Sequence, residues 1–513
     1  MIPATFLLAA AAIMQPCAEI TYTEETEPFR NPGQGWSVVP GNWDRATNCV
    51  NVGVVYDRIA WTDLEPEEGR CDFSIMDDQI KFAVERGVPY HFRIRCASKV
   101  SNNESDTPQW VYEKGCRFFT FDHARPWRRL KDGTRVPAGK LRCPYFQDPV
   151  FLETHERFVR ALAARYDGDP RIFAIDIGSY GHFGEWHMSA FGVPKQKLEA
   201  DAESRRRIAD MYLKNFRKTR LIFLTGDETT LAYVLGNDTL HPRTGMRRDA
   251  IGLPGYAEMW AGSERYKCVP EMGEIWKWQP LCFEWGGISR NIYQGKATTP
   301  SGKRVPKPEE MPGNFDWIRE KHGTTINSSP FAPWFVRPDD TATLEAMRRC
   351  DLYCGARLVP LSCAHAWHDG KLSIDLRLVN KGTSRIYMPY VLQAVARSAS
   401  GDELCAVSLA ADPGTWLPGE HRVQETVEFP SQMPTDARLS LRLRHLPGVF
   451  PDFRFAAKEL NAACELRLDA KCGPFASRRS FSPRWVKNAD APEGVQSVFA
   501  ACETARGLLY LRH

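Results

Sequence analysis

The sequence predicts an α/β protein: a (β/α)8 TIM barrel followed by a C-terminal β-sandwich domain. Three observations lead there. Between about residues 30 and 355, eight short apolar runs alternate with amphipathic or long polar stretches, as in a closed parallel barrel with outer helices. The segments after the third, sixth and seventh runs are long and rich in Trp, Tyr, Pro and Gly, like the loops at the C-terminal face of such a barrel. After residue 357 the apolar period drops to two, most clearly in Lys371-Leu-Ser-Ile-Asp-Leu-Arg-Leu-Val379. A doubly wound open sheet fits less well, because no Gly-rich phosphate fingerprint follows the first strand.

The elements follow in order. Asn31-Pro-Gly-Gln-Gly-Trp36 opens the first strand, and Val52 to Ile59 is the second. Asp77 to Arg86 is helical and stops at Gly87, a residue type favoured just past a helix end. Val88 to Cys96 is the third strand. Phe151 to Tyr166 has one apolar face, formed by Phe151, Phe158, Val159, Leu162 and Tyr166, and reads as a helix. Arg171 to Ile177 is the fourth strand, and a charged helix over Ala202 to Arg217 leads into the fifth, Leu221 to Thr225. Ala250 to Leu253 is expected as the sixth strand and Leu281 to Glu284 as the seventh. Asn314 to His322 is helical, Thr324 to Asn327 is the eighth strand, and Leu344 to Tyr353 is the last helix. Beyond it, Val423 to Phe429 and Leu439 to Arg444 also alternate, with turns at Asp369-Gly370 and Lys381-Gly382. Gly507 to Arg512 offers a final strand. The expected domains are a signal peptide over 1–18, the barrel over 19–357 and an Ig-like sandwich over 358–513.

The signal peptide rests on Phe6 to Met14, an apolar run too short to span a bilayer, with Ala18 as a cleavage position. It implies a secreted or periplasmic protein; a lipidated Cys17 is the alternative. No other segment reads as a membrane span. The formal net charge of +4 is small for 513 residues and gives nucleic-acid binding no electrostatic support. Cys49 to Cys502 show no CxxC pair and no zinc-type Cys/His spacing, so buried thiols compete with disulfides as their role. No metal or organic cofactor is implied, and the oligomeric state is open.

The candidate chemistry lies at two strand ends. The fourth strand runs into Gly178-Ser-Tyr-Gly-His-Phe-Gly-Glu-Trp-His187, which delivers Glu185 between Gly184 and Trp186. The seventh, Leu281-Cys-Phe-Glu-Trp-Gly-Gly287, places Glu284 at its C-terminal end. Two glutamates on one barrel rim suit glycoside hydrolysis, in which one carboxyl protonates the leaving oxygen and the other attacks the sugar carbon. The same carboxylates also fit a carbohydrate-binding barrel without catalysis. Enclosure by Phe183 and Trp186 is expected to raise the pKa of Glu185 and keep it an acid. Around the pair, Arg58, Arg95, Trp186, His187, Tyr256, Trp260, Trp285 and Asn327 are candidate substrate-binding residues. Arg58 is placed to hold Glu284 ionised, and Tyr256 to hydrogen-bond it. Trp276, Trp278 and Trp334 are further stacking candidates, each against a packing role. His91 and Arg93 share a face with Arg95 and need buried acids as partners; Asp176 points inward, below the rim. Asp227 and Glu228 follow the fifth strand, with helix capping the better role for Asp227.

One stretch carries a family resemblance. Ile59-Ala-Trp-Thr-Asp-Leu-Glu-Pro-Glu-Glu-Gly-Arg-Cys-Asp-Phe73 is similar to the W-x-x-L-E-P-x-E-G-x-x-D-F pattern of the family 42 β-galactosidases, which belong to clan A of the glycoside hydrolases. Thr107-Pro-Gln-Trp110, Asp132-Gly133 and Arg165-Tyr166-x-x-x-Pro170 follow in the family's order, so the resemblance spans roughly residues 50 to 190. The Gly-Glu-Trp-His ending resembles a set of secreted bacterial barrel proteins. In clan A the acid/base follows strand four and the nucleophile strand seven, which implies Glu185 and Glu284 in those roles. The chain departs from the family at one place. The family's Asn-Glu-Tyr-Gly falls on Gly178-Ser179-Tyr180-Gly181, so Ser179 stands at the usual glutamate and Glu185 comes six residues later. Either the loop folds back to bring Glu185 into the vacated place, or the site is altered. The resemblance implies a retaining hydrolase of β-glycosidic bonds in an oligo- or polysaccharide.

Overall fold

The structure is a computed structural model that describes residues 18–130, 132–192, 198–236, 244–251, 260, 263–285, 311–327, 341–430 and 433–471. Residues 1–17 of the leader read at 1–18, the tail from residue 472 with the strand expected at Gly507 to Arg512, Tyr256, Trp334 and the side chain of Trp285 lie outside the described residues.

Eight parallel strands close into a barrel. They are β1 (Gly35–Val38), β2 (Val52–Ala60), β3 (Tyr90–Arg95), β4 (Ile172–Ser179), β5 (Leu221–Leu224), β6 (Thr244–Ile251), β7 (Leu281–Trp285) and β8 (Thr325–Asn327). Each pairs with its neighbours in sequence, and β8 closes on β1 through Ile326 opposite Trp36. Helices α1 (Ser74–Glu85), α2 (Pro149–Tyr166), α3 (Ala202–Asn215), α4 (Glu228–Gly236), α5 (Met311–Glu320) and α6 (Thr341–Tyr353) accompany them. Local signals set the ends. Asp148 accepts from Val150 N–H at 3.0 Å and Pro149 occupies the first turn, so α2 starts two residues before the apolar run does. Asp227 accepts from the N–H groups of Thr229 and Thr230, the expected capping role.

One strand differs from expectation. β6 is Thr244–Ile251, not Ala250–Leu253. Its centre is Arg247-Arg248-Asp249, a polar run that resembles a loop when water is assumed on both sides. Here Arg247 and Arg248 are both buried: Arg247 pairs with Glu284, and Arg248 donates to the hydroxyls of Thr225 and Tyr266.

The C-terminal strands form two antiparallel sheets of four. β9 (Leu358–His368), β10 (Lys371–Asn380) and β13 (Gly419–Glu428) lie in one. β11 (Tyr390–Arg397), β12 (Glu403–Ser408), β14 (Arg438–His445) and β15 (Leu466–Lys471) lie in the other. Alternate residues of β10, Leu372 to Leu378, are buried with Leu392 and Ala394 of β11 and Leu439 to Leu443 of β14. The N-terminal strand Ala18–Thr21, assigned by sequence to the barrel or its leader, instead pairs antiparallel with β9, Ile20 opposite Cys363. The described cysteines are free thiols, most of them buried.

The two parts share an apolar layer. Val54, Phe173, Ala174, Ile222 and Cys282, all near the N-terminal ends of barrel strands, belong to the same buried cluster as the sandwich side chains. The sandwich therefore covers the bottom of the barrel, and the ends that carry Glu185 and Glu284 lie opposite. Because Phe173 is fully enclosed in this layer, Phe173→Ala should cost about 3–5 kcal/mol and lower the melting temperature of barrel and sandwich together. Differential scanning calorimetry checks this; two separate transitions, with only one displaced, would show that the cores are independent.

Candidate active site

The floor of the site is built from β2, β3 and β4. Strand register sets Arg58 beside Arg93 and Arg93 beside Asp176. Asp176 is fully buried and accepts from Arg93 Nε at 2.8 Å, Tyr56 Oη–H at 2.9 Å and the His91 ring at 2.7 Å. Burial opposes its charge, but His91, Arg93 and Arg247 outweigh it and hold the carboxyl well below the usual range. Burial also pushes His91 down, against the pull of Asp176. Asp176 thus anchors Arg93 below the rim rather than facing a substrate.

Above this floor the loop after β4 folds back. Ser179 and Phe183 have φ of +72° and +57°, and Trp186 has φ of +59°, all left-handed. Such conformations are costly and persist where surrounding contacts enforce them. The contacts are on hand: Phe183 N–H donates to Ala97 O at 2.9 Å and Trp186 N–H to Tyr180 O at 3.1 Å. Gly181 (φ +81°) lies so close to His187 that a Cβ would meet its carbonyl oxygen at 2.5 Å. At Gly178 a Cβ would strike Ile94 O at 2.4 Å and the Arg93 stem at 2.7 Å. This close passage lets Arg93 reach upward to the loop. Ser179, at the family's glutamate position, is buried and bonds His155 and Tyr212, each at 2.7 Å.

The fold-back brings Glu185 over the barrel. Its Oε1 accepts from Arg93 Nη1 at 3.0 Å and Arg58 Nη1 at 3.4 Å, and its Oε2 lies 3.4 Å from His187 Nε2. Glu284, at the end of β7, accepts through Oε2 from Arg247 Nη2 at 2.6 Å and Asn327 Nδ2 at 3.0 Å, with Arg58 at 3.9 Å. Asp249 of β6 takes the other side of Arg247 at 2.7 Å. One oxygen each of Glu185, Asp249 and Glu284 lies within 4.8 Å of the others. The charged groups therefore form one alternating chain: Asp176, Arg93, Glu185, Arg58, Glu284, Arg247, Asp249.

That chain has four acids and three arginines, and its two glutamates are shifted in opposite directions. Burial and the neighbouring Asp249 push Glu284 up to about 7, against the pull of Arg58 and Arg247. For Glu185 burial is outweighed by His187, Arg93 and Arg58, and the carboxyl sits well below the usual range. This reverses the expectation that enclosure would keep Glu185 protonated. The reason is geometric: Trp186 turns away from Glu185, while Arg93 and Arg58 face it.

The other candidates divide. Arg58, His187 and Asn327 lie at the carboxylates, as expected. Arg95 pairs instead with Asp106 at 3.1 Å and donates to Arg58 O, so it supports the backbone of Arg58. Trp186 is 2% exposed, donates to Ile177 O at 2.6 Å and packs on Phe223, which removes it as a sugar platform. Trp260 is buried against Phe283 and Trp317 and is likewise core. Trp276 stacks on His322, just before β8, at the sandwich end of the barrel. Phe183, with Arg58 5.4 Å from its ring centre, is an aromatic neighbour of the pair that sequence reading did not single out as a ligand. Arg247 and Asp249 were missed along with β6. Two groups have metal-ligand proximity: Glu185, Asp249 and Glu284, and His182, Glu185 and His187. Arg58, Arg93 and Arg247 already supply positive charge to Glu185 and Glu284.

Comparison with known proteins agrees with this geometry over one segment. The β-galactosidase family, glycosyl hydrolase family 42, matches residues 44–183. β-Galactosidase BgaH of Haloferax lucentense is 25% identical over 142 residues, covering 26% of this chain and 19% of that protein. The chain thus spans about a fifth of the length of that relative. Among solved structures, endo-glycoceramidase II from Rhodococcus sp. aligns at 13% identity over 80% of this chain and 100% of its own, with a TM-score of 0.38. A β-galactosidase from the Antarctic haloarchaeon Halorubrum lacusprofundi aligns at 14% identity over 64% of this chain and 58% of its own, with a TM-score of 0.35. The segment that builds β2, β3 and β4, with Arg58, Arg93 and Asp176, is similar to the family 42 β-galactosidases, and the match ends two residues before Glu185.

Proposed function

We propose that the protein is a retaining glycoside hydrolase that cleaves β-glycosidic bonds, with Glu185 and Glu284 as its reacting pair. The observation that carries this reading is the approach of their carboxyl oxygens to within 4.8 Å at the C-terminal ends of the barrel strands. Retaining enzymes hold their two carboxyl groups about 5–5.5 Å apart, whereas inverting enzymes leave a wider gap for water. The resemblance to family 42 over residues 44–183 supports the same class.

The charges favour one division of labour. Glu185 has donors on both oxygens and stays a carboxylate, the state a nucleophile needs. Glu284, at about 7, carries a proton near neutral pH, and its Oε1 accepts no hydrogen bond among the described residues. It is therefore suited to protonate the leaving oxygen and then to take a proton from water. Strand order in clan A implies the reverse, with Glu284 as nucleophile. A second reading, binding without turnover, is favoured by the ion pairing of both glutamates and predicts oligosaccharide affinity with no release of sugar.

Alanine variants separate these readings. Either Glu185→Ala or Glu284→Ala should lower kcat on unactivated substrates by at least about 100-fold. With an activated aryl β-glycoside and azide, Glu284→Ala should recover and give the β-glycosyl azide, because the anion enters where the general base stood. Glu185→Ala should give the α-azide, if any. A β-azide from Glu185→Ala assigns the roles the other way, and full activity in both variants removes the pair from catalysis.

The pH profile gives an independent check. If Glu284 is the acid, kcat/KM should be flat on the acidic side and fall as pH rises through about 7, where the proton is lost. If Glu284 is the nucleophile, kcat/KM should instead rise through the same range. Glu284→Gln should abolish either limb.

A further inference from the structure

The rim segment between β3 and α2 concentrates positive charge that the near-neutral chain hides. Residues 117–142 contain six arginines and two lysines against two aspartates, while the whole chain carries only +4. Two hairpins build it: Phe118–Asp122 pairs with Lys140–Pro144, and Trp127–Arg129 with Arg135–Pro137. Part of the charge is matched internally. Arg117 meets Asp148, Lys140 meets Asp122, and Arg128 and Arg142 both reach Glu104. Arg125, Arg129 and Arg135 are exposed and pair with no carboxylate among the described residues. Arg125 and Arg135 lie over the Trp127 ring, 5.6 and 4.3 Å from its centre. A guanidinium held by its face keeps its N–H edges for an outside acceptor.

This outgrowth is tied to the loop that carries Glu185. Phe119 and Phe121 pack on Phe191 at 5.5 and 4.7 Å, and Phe191 packs on His182 at 5.7 Å. Ala124 N–H also donates to Lys99 O, just beyond the end of β3. The outgrowth that bears the cationic hairpin is therefore joined, through Phe119, Phe121 and Phe191, to the loop that carries Glu185.

We propose that this hairpin is a subsite for an anionic glycan, one bearing carboxylate or sulfate groups, and that such a polymer is the substrate class of the cleft. The second half rests on the glycosidase reading; the subsite itself does not. Exposed guanidiniums that pair with no carboxylate among the described residues suit the carboxylate or sulfate groups of an acidic glycan, and a neutral glycan gains nothing from them. Outside residues 117–142 the chain carries a net formal charge of −2, so the excess positive charge of the sequence is concentrated in this segment.

Titration calorimetry with an oligogalacturonate and a heparin oligosaccharide, against a neutral galacto-oligosaccharide of equal length, tests this. At least one anionic probe should bind, more weakly as salt rises. The chain with Arg125→Gln, Arg129→Gln and Arg135→Gln should lose about tenfold or more in that affinity. Its melting temperature and its activity on a small aryl glycoside should match the parent. Preference for the oligogalacturonate assigns uronates, and preference for heparin assigns sulfates. No anionic binding, equal affinity in the variant, or equal affinity for duplex DNA overturns the subsite. Binding of the anionic chains with no turnover of any β-linked uronate or sulfated glycan keeps the subsite and removes the claim that such a polymer is the substrate, while the aryl β-glycoside assay decides the glycosidase reading separately.

Discussion

Inside the upper half of the barrel, charge balance dictates the arrangement of nearly every functional group. Arg93 is fully buried, and a buried guanidinium is tolerated only with good acceptors on hand. Asp176 supplies one below and Glu185 one above, so Arg93 links the strand floor to the loop. Removing Asp176 would leave Arg93 partly unmatched in the core and loosen the group that positions Glu185. The same logic extends through Arg58 to Glu284 and through Arg247 to Asp249. Because the chain begins and ends in an acid, it cannot be neutral with every carboxyl ionised. Burial and the neighbouring Asp249 raise Glu284 to about 7, so it takes up a proton more readily than Glu185 or Asp176. A mobile proton beside a fixed carboxylate is what acid/base chemistry at a sugar oxygen requires.

The loop after β4 shows how an acid can be delivered without the strand position that relatives use. Ser179 turns inward to His155 and Tyr212, and its left-handed backbone redirects the chain. Trp186 then acts as an anchor: its indole N–H on Ile177 O ties the end of the loop back to the strand it left. Between these two points Glu185 has little choice of direction. The strain in three non-glycine left-handed residues is offset by this anchoring.

Much of the barrel was legible in the sequence because its strands are buried and apolar. β2, β3, β4, β5 and β7 lie close to where their apolar runs place them, and both glutamates sit at the strand ends that the sequence implied. β6 was not legible, because Arg247-Arg248-Asp249 breaks the apolar pattern. A strand-length polar run flanked by Thr244 and Ile251 reads as a strand only once its acidic partners, on β7 and on β6 itself, are known. Aromatic residues were misread for a related reason. Trp186 and Trp260 have the composition of a sugar platform, yet whether an indole faces a cleft or a core depends on neighbours distant in sequence, here Phe223 for one and Phe283 and Trp317 for the other. The pKa of Glu185 was likewise inferred from its sequence neighbours and is set by Arg93, whose place beside it only the closed barrel reveals.

The position of the sandwich also bears on how the site works. It covers the N-terminal ends of the strands through Phe173, Ile222 and Cys282, which leaves the opposite rim to the loops. A barrel sealed at its base is rigid where Asp176 and Arg93 sit, and preorganised charge is worth most when it need not rearrange during reaction. Rim segments can then vary in length and charge without disturbing the carboxyl pair, since the pair is held from below by strand residues and Arg93. The cationic hairpin after β3 is such a segment. It is tied to the loop that carries Glu185 by the aromatic contacts of Phe119 and Phe121 to Phe191 and of Phe191 to His182, and its arginines are not members of the alternating chain beneath.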